Sequence, residues 1–314
     1  MRVLVSGTIA AIVLASLVLT AQTPVFRGSG DVVRVFATVT DRDGRLVTSL
    51  TQDKFEVRDE GKPQPITQFD NSPQPIRLIV MLDVSGSMEG NLPLLRAAGD
   101  QLFGRLRSDD VARVGAFGNE VTISPTFTHD VNELRGAMPR SIAPDAPTPL
   151  WRGIDDAITA FGDANETRRV VLVLSDGKDT GMFSFRQRPI SQAEVIDRAR
   201  REDVMIYGVG MRSRPTRRPP PGLGPGGLQA ALLSDLPDPG LARVAEETGG
   251  GYTEIRFGED LGAAFAGVAD ELHSQYLLGF VPPKRDGKKH EIDVRITQGG
   301  MKSRARKNYV APKE

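Results

Sequence analysis

The 314-residue chain contains no cysteine. That excludes disulfides, thiol nucleophiles, thiolate zinc sites, iron–sulfur clusters and lipidation of an N-terminal cysteine. Histidine is nearly as scarce, with three residues, His129, His273 and His290, far apart in sequence. A histidine-built metal site is therefore not expected, and any metal must be held by oxygen. The charge has no bias, with 40 Lys+Arg against 40 Asp+Glu. No overall field is available to hold a phosphate backbone, and nucleic acid is not an expected partner. There is one tryptophan, and 6% of the residues are aromatic. What is present is ordinary for a folded chain: 39% hydrophobic and 25% charged residues, enough to build a large core without covalent staples.

The long uncharged run is at the start. Residues 1–21, MRVLVSGTIAAIVLASLVLTA, place one basic residue, Arg2, before Ile, Val, Leu and Ala, and end in small residues. This is the pattern of a secretory signal peptide, which predicts an exported protein: periplasmic, cell-surface or secreted. The alternative is an uncleaved membrane anchor, because the run approaches the ~20 residues that span a bilayer.

Three segments follow. Residues 22–75 alternate with period two in VVRVFATVTD and KFEVRDEGKPQPITQF, with turn chemistry at Asp43-Gly44 and Glu60-Gly61, and read as a β segment ending in the linker NSPQP. Between residues 76 and 274 the rhythm becomes short apolar runs separated by amphipathic stretches. The runs are 77–84, 111–117, 121–128, 170–175, 204–210 and 252–257; the stretches are 92–106, 150–161, 190–201, 241–248 and 261–272. This predicts an α/β domain with a doubly wound, mostly parallel six-stranded sheet and helices on both faces. Only Gly118-Asn119-Glu120 separates the second and third runs, too little for a crossover helix, so the third is expected antiparallel at a sheet edge. Residues 212–238 form a Pro/Gly/Arg-rich insertion read as a loop. Residues 275–314 return to strand-like alternation, with a turn at Asp286-Gly287, and the two flanking β segments are candidates to pair as one small β unit.

In open α/β sheets ligands bind where the carboxyl ends of the strands meet the following loops. Those ends carry Asp83-Val84-Ser85-Gly86-Ser87 and Ser175-Asp176-Gly177, with Thr148 at the mouth of the helix beginning near Leu150. Asp83-x-Ser85-x-Ser87, Thr148 and Asp176, in this order, resemble the metal-ion-dependent adhesion site of the von Willebrand factor type A family. The flanking strands resemble a group of exported bacterial proteins related to that domain. The resemblance covers about residues 77–273. It implies that Ser85, Ser87 and Thr148 contact a divalent ion directly, Mg²⁺ or in its place Mn²⁺ or Ca²⁺, while Asp83 and Asp176 act mainly through waters. Hard cations favour such oxygen donors. Neutral hydroxyls leave most of the ion's charge uncompensated, so a carboxylate from a protein partner is a favoured further ligand.

Plainer roles exist for the same residues. Asp83, Ser85 or Ser87 could cap the helix that follows, and Asp176-Gly177 could be a simple turn. Pro147 and Pro149 stand where the family commonly has small residues, and their rigidity could hold Thr148 away from the ion. Asp179 reads as an exposed loop carboxylate, Trp151 as core or rim packing, and the arginines at 212, 214, 217 and 218 as a solvated loop or a steering patch for an acidic partner.

The leading expectation is a non-enzymatic, cation-dependent binding module for a protein ligand presenting an acidic residue, with no membrane contact beyond a possible N-terminal anchor. The first alternative is a metal-dependent phosphatase or hydrolase using Asp83 or a serine. It is weakened by the serine at position 85, where an aspartyl phosphotransferase wants a second carboxylate, and by the lack of a G-x-S-x-G or G-x-x-x-x-G-K-[ST] motif. The second alternative is an envelope scaffold in which the metal ties loops together.

Overall fold

The structure is a computed structural model that describes residues 32–162, 167–176, 178–181, 188–212, 238–256 and 259–313. The expected signal segment, and residues 213–237 of the expected loop insertion, lie outside them. Residues from Asp31 onward form one compact unit.

Its centre is a six-stranded sheet built from β5 (Ile76–Asp83), β6 (Val111–Phe117), β7 (Val121–Ile123), β8 (Arg168–Ser175), β9 (Val204–Met211) and β10 (Tyr252–Ile255), in the order β10-β9-β8-β5-β6-β7. All neighbours are parallel except β6 and β7, where Gly115 faces Ile123 and Phe117 faces Val121 in antiparallel register. The short third run is thus the antiparallel edge strand its three-residue connection requires. Alternation along β5 shows why the other runs are apolar throughout. Leu78, Val80 and Leu82 enter one core with residues of α1 (Leu92–Phe103), α2 (Val131–Ala137) and α6 (Leu261–Leu272). Ile79 and Met81 enter a second core with residues of α3 (Leu150–Ala160), α4 (Gln192–Arg201) and α5 (Pro239–Thr248). Burial on both faces removes the period-two polarity that a half-exposed strand would show.

The flanking segments form two four-stranded antiparallel sheets. One has the order β13-β1-β11-β4, from β1 (Val33–Thr40), β4 (Gln68–Asp70), β11 (Tyr276–Phe280) and β13 (Lys302–Arg304). The other has the order β14-β12-β2-β3, from β2 (Phe55–Asp59), β3 (Lys62–Gln64), β12 (Lys289–Ile296) and β14 (Asn308–Val310). Each sheet draws strands from both ends of the chain, with Val35 facing Leu278 and Val57 facing Val294. Inward residues of both sheets, among them Val35, Val57, Tyr276, Ile292 and Tyr309, share one core. The two ends therefore pair, as a two-layer sandwich. The turn at Glu60-Gly61 joins β2 to β3 with both residues at positive φ, 48° and 76°, the left-handed geometry a tight hairpin needs.

A buried polar network fastens the sandwich to the α/β domain. Gln275, just after α6, donates through Nε2 to Thr38 Oγ1 of β1 at 2.6 Å and to Tyr207 OH of β9 at 3.0 Å, and its Oε1 accepts from Arg168. Glu271 of α6 accepts from Thr38 Oγ1 at 2.9 Å, from Tyr207 OH and from Arg304. Burial and the Glu271 charge push the Tyr207 phenol far above its ordinary range, so it stays a neutral donor.

Candidate metal centre

The strand order places β5 beside β8, and the chain departs from this pair in opposite directions along the sheet, toward β6 and toward β9. This is the position at which an open α/β sheet leaves a crevice above its strand ends. Asp83 is the last residue of β5 and Ser175 the last of β8, so backbone pairing alone brings both motifs together.

The loop after Asp83 is held from three directions. Asp83 Oδ1 accepts from the Ser85 N–H at 2.9 Å, curling the chain back on itself, and a short 3-10 turn, Gly86–Met88, follows. Met88, fully buried, pins the turn into the core. The Gly86 N–H donates to the Ala146 carbonyl at 3.2 Å, joining this turn to the loop that carries Thr148. A side chain does not fit here without a backbone shift, because an ideal Cβ on Gly86 would stand 1.7 Å from the Pro144 carbonyl oxygen. Glycine serves by its lack of bulk at a backbone contact. The capping role does not hold: α1 begins only at Leu92, after Asn91, and Ser85 makes no side-chain cap bond.

Three of the five predicted side chains meet through hydrogen bonds, and Asp83 joins them through the Ser85 backbone. The Ser85 and Ser87 hydroxyls lie 3.1 Å apart, and Ser87 Oγ donates to Asp176 Oδ1 at 2.7 Å. Ser175, which the sequence reading left without a role, donates its hydroxyl to Asp83 Oδ2 at 2.6 Å. Asp83, Ser85 and Asp176 are almost completely buried. Burial pushes the Asp83 carboxyl up to about 7; the Ser175 and Ser85 hydrogen bonds work against this, and the negative charge of Asp176 adds to it.

Thr148 is buried in the adjoining loop, and its backbone is what the structure anchors. Its N–H donates to Thr180 Oγ1 at 2.8 Å, and its carbonyl accepts from the Thr180 N–H at 3.0 Å, tying the loop to the segment after Asp176. The Thr148 carbonyl also accepts from the Leu150 N–H at 2.9 Å across Pro149, whose φ of −79° and ψ of 63° form an inverse γ-turn. Proline presets that φ. Pro149 thus fixes the path of the Thr148 loop into α3.

Asp179 differs from its reading as an exposed carboxylate. It is half-buried, accepts from the Trp151 N–H near the start of α3 at 3.3 Å, and its own N–H donates to Asp238 Oδ2 at 3.1 Å. Burial raises its carboxyl, with the Asp238 charge adding. Trp151 is buried in the core beneath α3. Of the arginine cluster, Arg212 pairs with Glu254, and Arg214, Arg217 and Arg218 lie outside the described residues.

The donor set fits a hard divalent cation: hydroxyl and carboxylate oxygens converge from two strand ends, and sulfur and imidazole take no part. The Asp176 charge disfavours ionisation of the buried Asp83 carboxyl, and a cation between the two would relieve this. Two of the three histidines are engaged elsewhere. His273 contacts Asp110 at 2.8 Å at the opposite end of the sheet, and His290 contacts Asp59 at 3.0 Å inside the sandwich.

Comparison with known proteins adds the following. Residues 78–178 match the family model described as von Willebrand factor type A domain. The comparison with curated proteins returned no match. Among solved structures, the chain is similar to von Willebrand factor type A from Catenulispora acidiphila, with 13% identity over 91% of this chain and 76% of that one and a TM-score of 0.49. It is also similar to the conserved hypothetical protein BatB from Bacteroides thetaiotaomicron, with 17% identity over 63% of this chain and 97% of that one and a TM-score of 0.46. A third similarity is to proximal thread matrix protein 1 from the mussel byssus with a zinc-occupied MIDAS motif, with 16% identity over 67% of this chain and 48% of that one and a TM-score of 0.44.

Proposed function

We propose that this chain, which carries a von Willebrand factor type A domain over residues 78–178, is a divalent-cation-dependent protein-binding module that captures a carboxylate of its partner and catalyses no reaction. The observation that carries this reading is the continuous run of oxygens from Ser85 through Ser87 to Asp176, with Asp83 bonded to both the Ser85 backbone and Ser175. Ser85, Ser87 and Thr148 would hold the ion directly, and Asp83 and Asp176 through water. When bound, the ion supplies a hard, electron-poor centre for an anionic oxygen. Mg²⁺ is the ion proposed, because hydroxyl donors with retained waters suit its octahedral shell.

The chain's own residues do the positioning. Ser175 and the Ser85 N–H fix both oxygens of Asp83. The reciprocal Thr148–Thr180 bonds and the Gly86-to-Ala146 contact hold the three loops in register, so little order is lost on binding. Asp83, the candidate nucleophile of the hydrolase alternative, has both oxygens occupied by donors that orient it, and no histidine among the described residues contacts it. The sequence of residues 1–21 supports export from a bacterial cell, where such a module would meet its partner.

The test is capture of an acidic protein ligand from envelope extract, with Mg²⁺ or with chelator, using the wild-type chain and Asp83→Ala. Binding in Mg²⁺ that is lost in chelator and in Asp83→Ala is the expected result. Equal capture in all three conditions would refute the reading.

A further inference from the structure

The end of the sheet opposite the metal centre has a chemistry of its own. β8 opens with Arg168 and Arg169, which are only 7% and 6% exposed. Buried guanidinium groups are normally paired with carboxylates. Here the acceptors are neutral. Arg168 donates through Nη1 to the Leu272 carbonyl at 2.9 Å and through Nη2 to the Gln275 side-chain carbonyl. Arg169 donates through Nη1 to the Glu202 carbonyl at 3.2 Å.

Arg306, in the loop between β13 and β14, reaches the same place. Its Nη2 donates to the Arg34 carbonyl at 2.6 Å and its Nη1 to Asp203. The Nε groups of Arg168 and Arg306, like those of Arg200 and Arg304 elsewhere in the molecule, are buried and have no hydrogen-bond partner among the described residues.

These arginines line a cavity of about 70 Å³, with Arg34, Phe36 and Thr167 among the other walls. Two acids, Glu202 and Asp203, also line it against the four arginines, and both are engaged. Glu202 pairs with Arg198 Nε at 2.8 Å, and Asp203 pairs with Arg306. Phe36 lies under Arg168, its ring centroid 4.5 Å from the guanidinium carbon, which fixes the orientation of that group. Among the described residues, Arg168 and Arg169 thus line the cavity with no carboxylate hydrogen-bonded to them, and it has room for several waters or one small ion.

We propose that this cavity is a binding site for a small tetrahedral oxyanion of the phosphate class, held by Arg168 and Arg169 from β8 and Arg306 from the sandwich. Three guanidinium groups from two layers of the molecule suit an ion with several oxygens pointing in different directions. The volume excludes a nucleotide or a peptide. Because Arg306 belongs to the sandwich and Arg168 to the central sheet, the ion would also brace the junction between them.

The experiment is calorimetric titration of the full chain with inorganic phosphate, with EDTA present and ionic strength held constant with chloride. The chelator removes any metal as a partner for phosphate, so the outcome is independent of the metal reading above. Saturable one-to-one binding, weakened at least tenfold in Arg306→Gln and in Arg168→Met, is expected. Heats no different from chloride dilution, or unchanged affinity in Arg306→Gln, would overturn the proposal. Arg168→Met removes a buried group and could unfold the chain. Arg306→Gln changes a side chain with 13% exposure near the surface, and carries the test by itself in that case.

Discussion

Replacing Gly86 with alanine adds one methyl group to a 314-residue chain, and the consequences are set by a single contact. The new Cβ would be 1.7 Å from the Pro144 oxygen and 2.6 Å from the Pro144 carbonyl carbon, both backbone atoms that no rotamer change can clear. The Ser85–Ser87 turn must move away from residues 144–146, breaking the Gly86 N–H to Ala146 bond of 3.2 Å. Overpacking of this kind costs about 1–3 kcal/mol and the lost bond about 0.5–1.5 kcal/mol, for a sum of about 1.5–4.5 kcal/mol. At about 2.1 cal/mol/K of unfolding entropy per residue, that lowers the melting temperature of a chain of this size by about 2–7 °C. The same movement pulls Ser85 and Ser87 away from the Thr148 loop, so metal affinity should fall more than tenfold, about 1.4 kcal/mol or more. Gly267→Ala is the control. Gly267 sits inside α6 with nothing within 4 Å of an added Cβ, and helix propensity alone should make the variant about 0.5–1 kcal/mol more stable. Thermal melts and Mn²⁺ titrations of both variants provide the readout. A Gly86→Ala protein with wild-type stability and metal affinity would refute the packing described here.

Two further predictions concern the rest of the molecule. Burial works to raise the Asp110 carboxyl, but hydrogen bonds from His273, the Arg107 N–H and the Ile76 N–H more than offset it and hold the group below the usual carboxylate range. A lowered folded pKa means stability that is present above the unfolded value of about 3.9 and lost as pH falls through the folded value. Asp110→Asn should therefore destabilise the protein by about 1.5–3 kcal/mol in denaturant unfolding at pH 7, with the gap to wild type closing below about pH 4. Gln275→Ala strips one partner each from Arg168, Thr38 and Tyr207 at the junction of sandwich and α/β domain. It should cost about 2–3 kcal/mol in the same assay, and a loss under 0.5 kcal/mol would mean that the network is not what fastens the two layers.

The α/β core was legible because strands buried on both faces leave continuous apolar runs, and β5 through β10 fall on the six runs. The three-residue gap before β7 even gave its direction. α6 was legible to the residue, Leu261–Leu272, because Asp260 caps it and its apolar stripe is wide. α2 was missed: it has seven residues and buries only Leu134, too little periodicity to register. The separation of the flanking strands into two sheets was also not legible, since alternation tells which face of a strand is buried and not which strand lies beside it. At the candidate metal centre, the family resemblance pointed to Asp83, Ser85, Ser87, Thr148 and Asp176, but Ser175 looked like any strand-end serine. Its bond to Asp83 depends on β5 and β8 being neighbours, a fact of topology.

The most direct measurement of the central claim is the anomalous scattering of a crystal grown with Mn²⁺. A peak within coordination distance of the Ser85 and Ser87 hydroxyls, absent in Asp83→Ala crystals, is the result this account predicts. Full Mn²⁺ in the mother liquor with no anomalous peak between Ser85, Ser87, Thr148 and Asp176 would contradict it.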